Sequence, residues 1–160
     1  MKIGVISDTH SHPIPPQVLD DFKDVEFILH AGDFCSLADL KTLTRIKDVK
    51  GVWGNMDDPD IRRTFPEKQL IRVGAVTIGM YHGDGPPQKL LEVIRAQFKK
   101  DRPQVVVYGH SHHPFNESLD GVLYFNPGSP NDKIFAPYPS YGLLEIDADK
   151  VSGKIIKVKG

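Results

Sequence analysis

Short Val- and Ile-rich runs, each of strand length and each leading into an aspartate, asparagine or histidine, constrain this chain more than any other feature. They cover residues 2–7, 25–30, 49–53, 75–81 and 104–108. Continuous apolar runs of this length suit strands buried on both faces, as in sheets covered by helices. The segments between them have helical spacing. Residues 15–23 place Val18, Leu19 and Phe22 on one face, and residues 37–46 repeat Leu37, Leu40, Leu43 and Ile46. Residues 87–99 set Leu90, Leu91, Ile94 and Phe98 three and four apart. The β-α-β-α-β alternation predicts an α/β layered fold.

After Tyr108 the pattern changes. Residues 115–119 and 122–125, around Asp120-Gly121, predict a β-hairpin. Residues 141–146 and 154–159, joined around 148–153, predict a second. Between the hairpins, residues 126–139 carry four prolines and read as a loop. Two facing mixed sheets with helices outside accommodate all of this. No repeat, low-complexity tract or linker divides the chain, so residues 1–160 are expected to form one domain.

Twenty basic against 21 acidic side chains leave a net charge of −1, so bulk charge indicates no nucleic-acid or membrane partner. Cys35 is the single cysteine, which rules out an intrachain disulfide, and it reads as a small buried apolar residue. The apolar start is too short for a secretory signal and no later run spans a bilayer, so the cytoplasm is the expected location.

The chemistry lies where the apolar runs end. Asp8 and His10 follow the first, Asp33 the second, Asn55 the third, His82 a later one, and His110 and His112 the run ending at Tyr108. Ligands in open α/β sheets bind outside the carboxyl ends of strands, so these side chains are expected on one rim. Glycines at 32, 54, 83 and 109 adjoin them and suit tight strand-to-loop turns. Asp8/His10 and His110/His112 each stand two apart, the spacing that shares one face of a strand. Taken singly, each piece fits an ordinary turn or surface residue. Only the ordered set points to a metal centre, and its nitrogen and oxygen donors without thiolate suit Mn, Fe, Zn or Ni.

The ordered set Asp8-Thr9-His10, Gly32-Asp33, Gly54-Asn55, His82-Gly83 and Gly109-His110-Ser111-His112 resembles the calcineurin-like metallophosphoesterase family. With the short chain and Asn126-Pro127-Gly128-Ser129, it is similar to the small bacterial and archaeal phosphodiesterase branch. The resemblance implies a four-layer α/β/β/α sandwich with two metals. Asp8, His10 and His112 would hold one metal, Asn55, His82 and His110 the other, and Asp33 would bridge them. It further implies a hydrolase that cleaves small phosphodiesters by in-line attack of a metal-bridging hydroxide, with manganese the expected metal. Many relatives carry a proton-donating His after the metal-binding Asn, where this chain has Met56. That gap favours diesters with good leaving groups over alkyl monoesters. His12, His113 and Asp57 are candidate helpers, and His30 reads as packed rather than ligating. The alternatives are a phosphomonoesterase and a non-catalytic metal-binding scaffold akin to the retromer subunit.

Overall fold

A computed structural model describes residues 1–160. In chain order its first half comprises β1 (Lys2–Ile6), α1 (Pro16–Asp21), β2 (Ile28–His30), α2 (Leu37–Thr44), β3 (Val49–Gly51) and α3 (Pro59–Thr64). There follow β4 (Lys68–Val73), β5 (Val76–Tyr81), α4 (Leu90–Gln97), β6 (Val105–Val107), β7 (Phe115–Leu119), β8 (Val122–Asn126), β9 (Ser140–Asp147) and β10 (Lys150–Lys157). Two five-stranded sheets result, with strand orders β10-β9-β1-β2-β3 and β4-β5-β6-β8-β7. β1, β2 and β3 are parallel to one another, as are β5, β6 and β8. Antiparallel strands adjoin each parallel set: β9 and then β10 beside β1, β4 beside β5, and β7 beside β8. No helix is long and apolar enough to cross a membrane.

The apolar runs follow from burial on two sides. Ile3 and Val5 of β1 pack between the sheets with Val76, Ile78, Met80, Val105 and Val107. Ile6 faces outward, packed with Val18 of α1, Phe22 and Leu43 of α2. On the other sheet, Val106 and Tyr124 pack beneath Leu90, Ile94 and Phe98. The layers are therefore α/β/β/α, as expected.

The structure adds two elements and corrects one reading. Residues 59–64 form α3, where Asp58 caps the helix by accepting from the Ile61 N–H at 3.1 Å and Pro59 begins it. Residues 68–73 form β4, an edge strand in which only Ile71 is buried, so it lacks a long apolar run. The last hairpin turns at Ala148-Asp149, and residues 150–153 are strand, with Gly153 opposite Leu144. Gly153 is small for packing, not for turning. A Cβ there would lie 2.5 Å from the Phe125 ring, and one at Gly142 2.4 Å from it.

Phe125 is thus a fully buried knob from one sheet seated in two glycine notches of the other. Phe125→Ala is expected to destabilise the protein by about 3–5 kcal/mol in urea unfolding, the range for emptying a buried aromatic site. A loss below about 1 kcal/mol would show that the sheets close without it.

Candidate metal centre

The carboxyl ends of β1, β2, β3, β5 and β6 meet along one rim. The loop after β1 continues against the loop after β2: Asp8 N–H donates to Gly32 O (2.9 Å), His10 N–H to Asp33 O (3.0 Å) and Ser11 N–H to Phe34 O (2.9 Å). Strand alternation does not deliver the paired residues, because Asp8/His10 and His110/His112 lie beyond the ends of β1 and β6. Left-handed backbone delivers them instead. Asp8, His10, Asp33, His110 and His112 have φ of 57°, 52°, 59°, 74° and 62°. Non-glycine residues seldom hold this conformation without a surrounding structure that imposes it.

Five of the expected ligands converge. Asp8 Oδ1 lies 3.3 Å from His112 Nε2, 3.6 Å from His10 Nε2 and 3.7 Å from His82 Nε2. Asp33 Oδ2 lies 3.2 Å from His82 Nε2 and 3.8 Å from His10 Nε2, so it reaches both halves. The atoms form two clusters, Asp8/His10/His112 and Asp8/Asp33/His82, each within 4.8 Å. His110 stands at the edge, its ring centroid 5.4 Å from that of His82. Asn55 lies on the exposed turn after β3.

The imidazoles are held by the nitrogen that faces away from the centre. Nδ1 of His82 donates to Ala31 O (2.7 Å) and Nδ1 of His112 to Asp132 Oδ2 (2.7 Å). Nε2 of His110 donates to Gly85 O (2.8 Å), and His10 Nδ1 faces Cys35 Sγ at 3.3 Å. In His82 and His112 the outer carbonyl or carboxylate holds a proton on Nδ1 and turns Nε2 toward Asp8, as outer partners of ligating histidines do.

The centre leaves two polar atoms unanswered. Asp8 Oδ2 is held by Ser7 Oγ (2.6 Å) and the His110 N–H (3.0 Å), but Asp8 Oδ1 is buried without a hydrogen-bond partner. So is His82 Nε2. Buried polar groups are otherwise satisfied, and these two face one another across a space ringed by nitrogen and oxygen donors. A divalent cation fits that donor set. Against the burial that favours neutrality, the Asp8 and Asp33 carboxylates push His82 up to about 9. Asp8 and Asp132 likewise push partly buried His112 up to about 9. Their protons occupy lone pairs that a cation would need.

The remaining candidates separate. Asp57 accepts N–H bonds from Gly54 (2.7 Å), Asp33 (2.9 Å) and Cys35 (2.7 Å), so it braces the backbone that presents Asp33. His12 is exposed and lines the cleft beside Asp8 and His10. His113 is exposed outside that cleft and bonds locally to Ser111 O. Cys35 is not core: it is half-buried against His10, and burial with nearby Asp33 and Asp57 pushes its thiol up to about 12. Sequence reasoning missed Ser7 and Asp132. It also missed the bracing role of Asn126, which donates to Gly109 O at 3.1 Å and Ser111 Oγ at 3.2 Å.

Fold and site together define a four-layer sandwich with a metal-capable rim. Residues 1–149 match the family model of the calcineurin-like phosphoesterase superfamily domain. The chain is 37% identical over 161 residues to a probable metallophosphoesterase of Methanothermobacter thermautotrophicus, covering 98% of this chain and 92% of that one. It is 33% identical to a phosphodiesterase of Methanocaldococcus jannaschii, over 92% of this chain and 94% of that one. Among solved structures it superposes on zinc-complexed Vps29 of Entamoeba histolytica with a TM-score of 0.81 and 25% identity, covering 99% and 98% of the two chains. The chain belongs to the calcineurin-like phosphoesterase superfamily.

His30 underlies the rim without joining it. Its Nδ1 accepts from the Gly32 N–H (3.1 Å), its Nε2 bonds Thr9 Oγ1 (3.1 Å), and its ring stacks on Phe34 at 3.5 Å. Accepting at Nδ1 requires the neutral ring, and burial drives its pKa from 6.5 to about 3. The unfolded chain therefore takes up a proton that the folded chain refuses. The contribution is whole above about pH 6.5 and is lost as pH falls toward 3, on the order of 5 kcal/mol at most. In chelator-treated protein, His30→Gln is expected to flatten the stability-versus-pH curve over that window in urea titrations. An unchanged slope would remove His30 from this account.

Proposed function

We propose that this chain hydrolyses phosphodiesters at a centre of two divalent cations. Asp8, His10 and His112 hold one, Asn55, His82 and His110 hold the other, and Asp33 is shared. The observation that carries the reading is the buried, unpartnered Asp8 Oδ1, faced by inward imidazole nitrogens whose outer nitrogens are already engaged. Bound there, the cations would supply Lewis acidity to the phosphoryl oxygens and acidity to the attacking water. Manganese is the metal we expect among manganese, iron, zinc and nickel, all of which suit a donor set of nitrogen and oxygen. Similarity to the Methanocaldococcus phosphodiesterase supports diesters as the substrate class.

The chain's own residues position rather than react. Asp57 and the Met56 N–H, which donates to Asp33 Oδ1 at 2.8 Å, hold the shared carboxylate in register. No serine or cysteine nucleophile is required, and the raised Cys35 thiol does not provide one. The exposed Met56 side chain has no proton to give a leaving group. Substrates whose leaving groups depart without protonation are therefore favoured over alkyl monoesters.

Metal-reconstituted protein is expected to take up two ions per chain and to turn over bis(p-nitrophenyl) phosphate faster than p-nitrophenyl phosphate. Asp33→Asn should lower diester turnover by more than about 100-fold, since even the outer partners of metal ligands are worth 10–100-fold. Metal uptake without turnover of either substrate would replace this reading with that of a metal-binding scaffold. Faster turnover of the monoester would make the protein a phosphomonoesterase.

Met56→His, with metal content unchanged, is expected to raise turnover of diesters with poor leaving groups by about 100-fold, the lower end of general-acid assistance. Steady-state kinetics across leaving groups of increasing pKa measure this. A uniform effect across the series would show that protonation of the leaving group is not what the site lacks.

A further inference from the structure

We propose that a groove opening from the metal cleft binds single-stranded nucleic acid, so that the diester presented to the rim is one link of a longer chain. The inference extends the hydrolase reading to a substrate class, while the binding it describes does not need turnover.

The cleft itself encloses about 320 Å³, with Asp8, His10 and His112 along one side and Ile134 and Phe135 along the other. That is the low end for ligand sites and suits a single nucleotide-sized group. Ile134 and Phe135 are 82% and 79% exposed, an unusual position for large apolar side chains beside a charged centre. The cleft does not end there. His12, Asn131 and Lys133 line both it and an adjoining groove of about 1070 Å³.

The groove has one sign of side-chain charge. Lys133, Lys157 and Lys159 line it, and no aspartate or glutamate does, in a chain with 21 acidic residues and a net charge of −1. Its aromatic residue is Tyr138, with Lys157 Nζ 5.3 Å from the ring centroid. The groove thus sets lysines beside Tyr138, and the adjoining cleft adds Phe135. Single-stranded nucleic acid is bound by this pairing, lysines tracking the phosphates while unpaired bases stack on rings. A lone phosphate would engage only part of it.

The walls are built rather than loose. Gln17 ties the lysine-bearing end of the chain down, donating to Lys157 O (3.0 Å) and accepting from the Lys159 N–H (2.9 Å). Prolines 13, 15, 130, 137 and 139 fix φ along the opposite walls. Asn131 Nδ2 donates to Thr9 O at 2.9 Å, which joins the groove wall to the loop carrying Asp8 and His10.

The test is fluorescence anisotropy of a labelled oligothymidylate of about eight nucleotides with the full chain in chelator. Binding is expected to weaken with salt at a log–log slope of about −2, for three phosphate contacts on a single strand. Lys157→Ala/Lys159→Ala should reduce that slope to about −0.7. Phe135→Ala should lower affinity at least about five-fold with the slope unchanged. Circular dichroism and melting of each variant report the fold. Absence of binding, equal affinity for a mononucleotide or for duplex of the same sequence, or a slope unmoved by the double lysine variant would overturn the proposal. Turnover of bis(p-nitrophenyl) phosphate by a protein that binds no oligonucleotide would sink this inference and spare the hydrolase reading. Salt-dependent binding without turnover would do the reverse.

Discussion

The Asp8 carboxylate is the point on which the two sheets agree. One of its oxygens is held from both sides, by the Ser7 hydroxyl of its own loop and by the His110 N–H of the other sheet. The other oxygen is buried against three imidazoles and bonds to none of them. A buried carboxylate is costly unless opposite charge and hydrogen bonds offset the loss of water. Without a cation, protonated His82 and His112 supply that charge, which is why both are pushed up to about 9. The fold therefore tolerates the arrangement but does not satisfy it. A site that meets its demand for positive charge only by protonating nitrogens that could otherwise ligate fits a divalent cation better than an ion pair.

The backbone beneath this carboxylate carries the corresponding strain. Five of the seven expected ligands hold left-handed φ, and none is glycine. The glycines beside them make room for the carboxylates. A Cβ at Gly54 would lie 2.2 Å from Asp33 Oδ1, and one at Gly109 would lie 2.1 Å from Ser7 Oγ and 2.6 Å from Asp8 Oδ2. Strained conformations persist where their surroundings over-determine them. Here the surroundings include Asp57, with three N–H donors, and the β1 and β2 loops paired by three backbone bonds. Ser129 adds another brace, its hydroxyl donating to Asp8 O at 2.8 Å. Metal-capable side chains are thereby presented by short loops stiffened from below, which limits how far they relax when charge enters or leaves.

The sequence made the layers legible because burial on both faces leaves unbroken apolar runs, as in β1 and β6. It hid β4, whose six residues bury only Ile71, because an edge strand needs no such run. Gly153 misled because glycine signals a turn and a packing notch in the same letter, and only the partner ring of Phe125 distinguishes them. At the site, the order of Asp, His and Asn after successive strands was enough to find the converging residues. Strand periodicity was the wrong reason for the Asp8/His10 and His110/His112 pairs, since left-handed turns bring them inward. The outer partners were harder to see. Asp132 lies 20 residues from His112 in a proline-rich loop, and Cys35 lies 25 from His10, separations with no local signature.

Those outer partners make the two clusters unequal. Asp8, Asp33 and His82 are all buried, and His82 is fixed by a backbone carbonyl at the end of a strand. In the other cluster His10 and His112 are half-exposed, and His112 is fixed by a side chain on the loop that walls the cleft. The Asp132 carboxylate also accepts the N–H groups of Ile134 (2.8 Å), Phe135 (2.9 Å) and Ala136 (3.1 Å). One carboxylate thus sets the orientation of a metal-capable imidazole and the turn that displays the two exposed apolar residues. Movement of the wall must then alter the hydrogen bond that tunes His112, whereas His82 is insulated from it. The buried cluster is the fixed half of the centre. The exposed half shares its cleft with Ile134 and Phe135, so a change in that wall reaches His112 before it reaches His82.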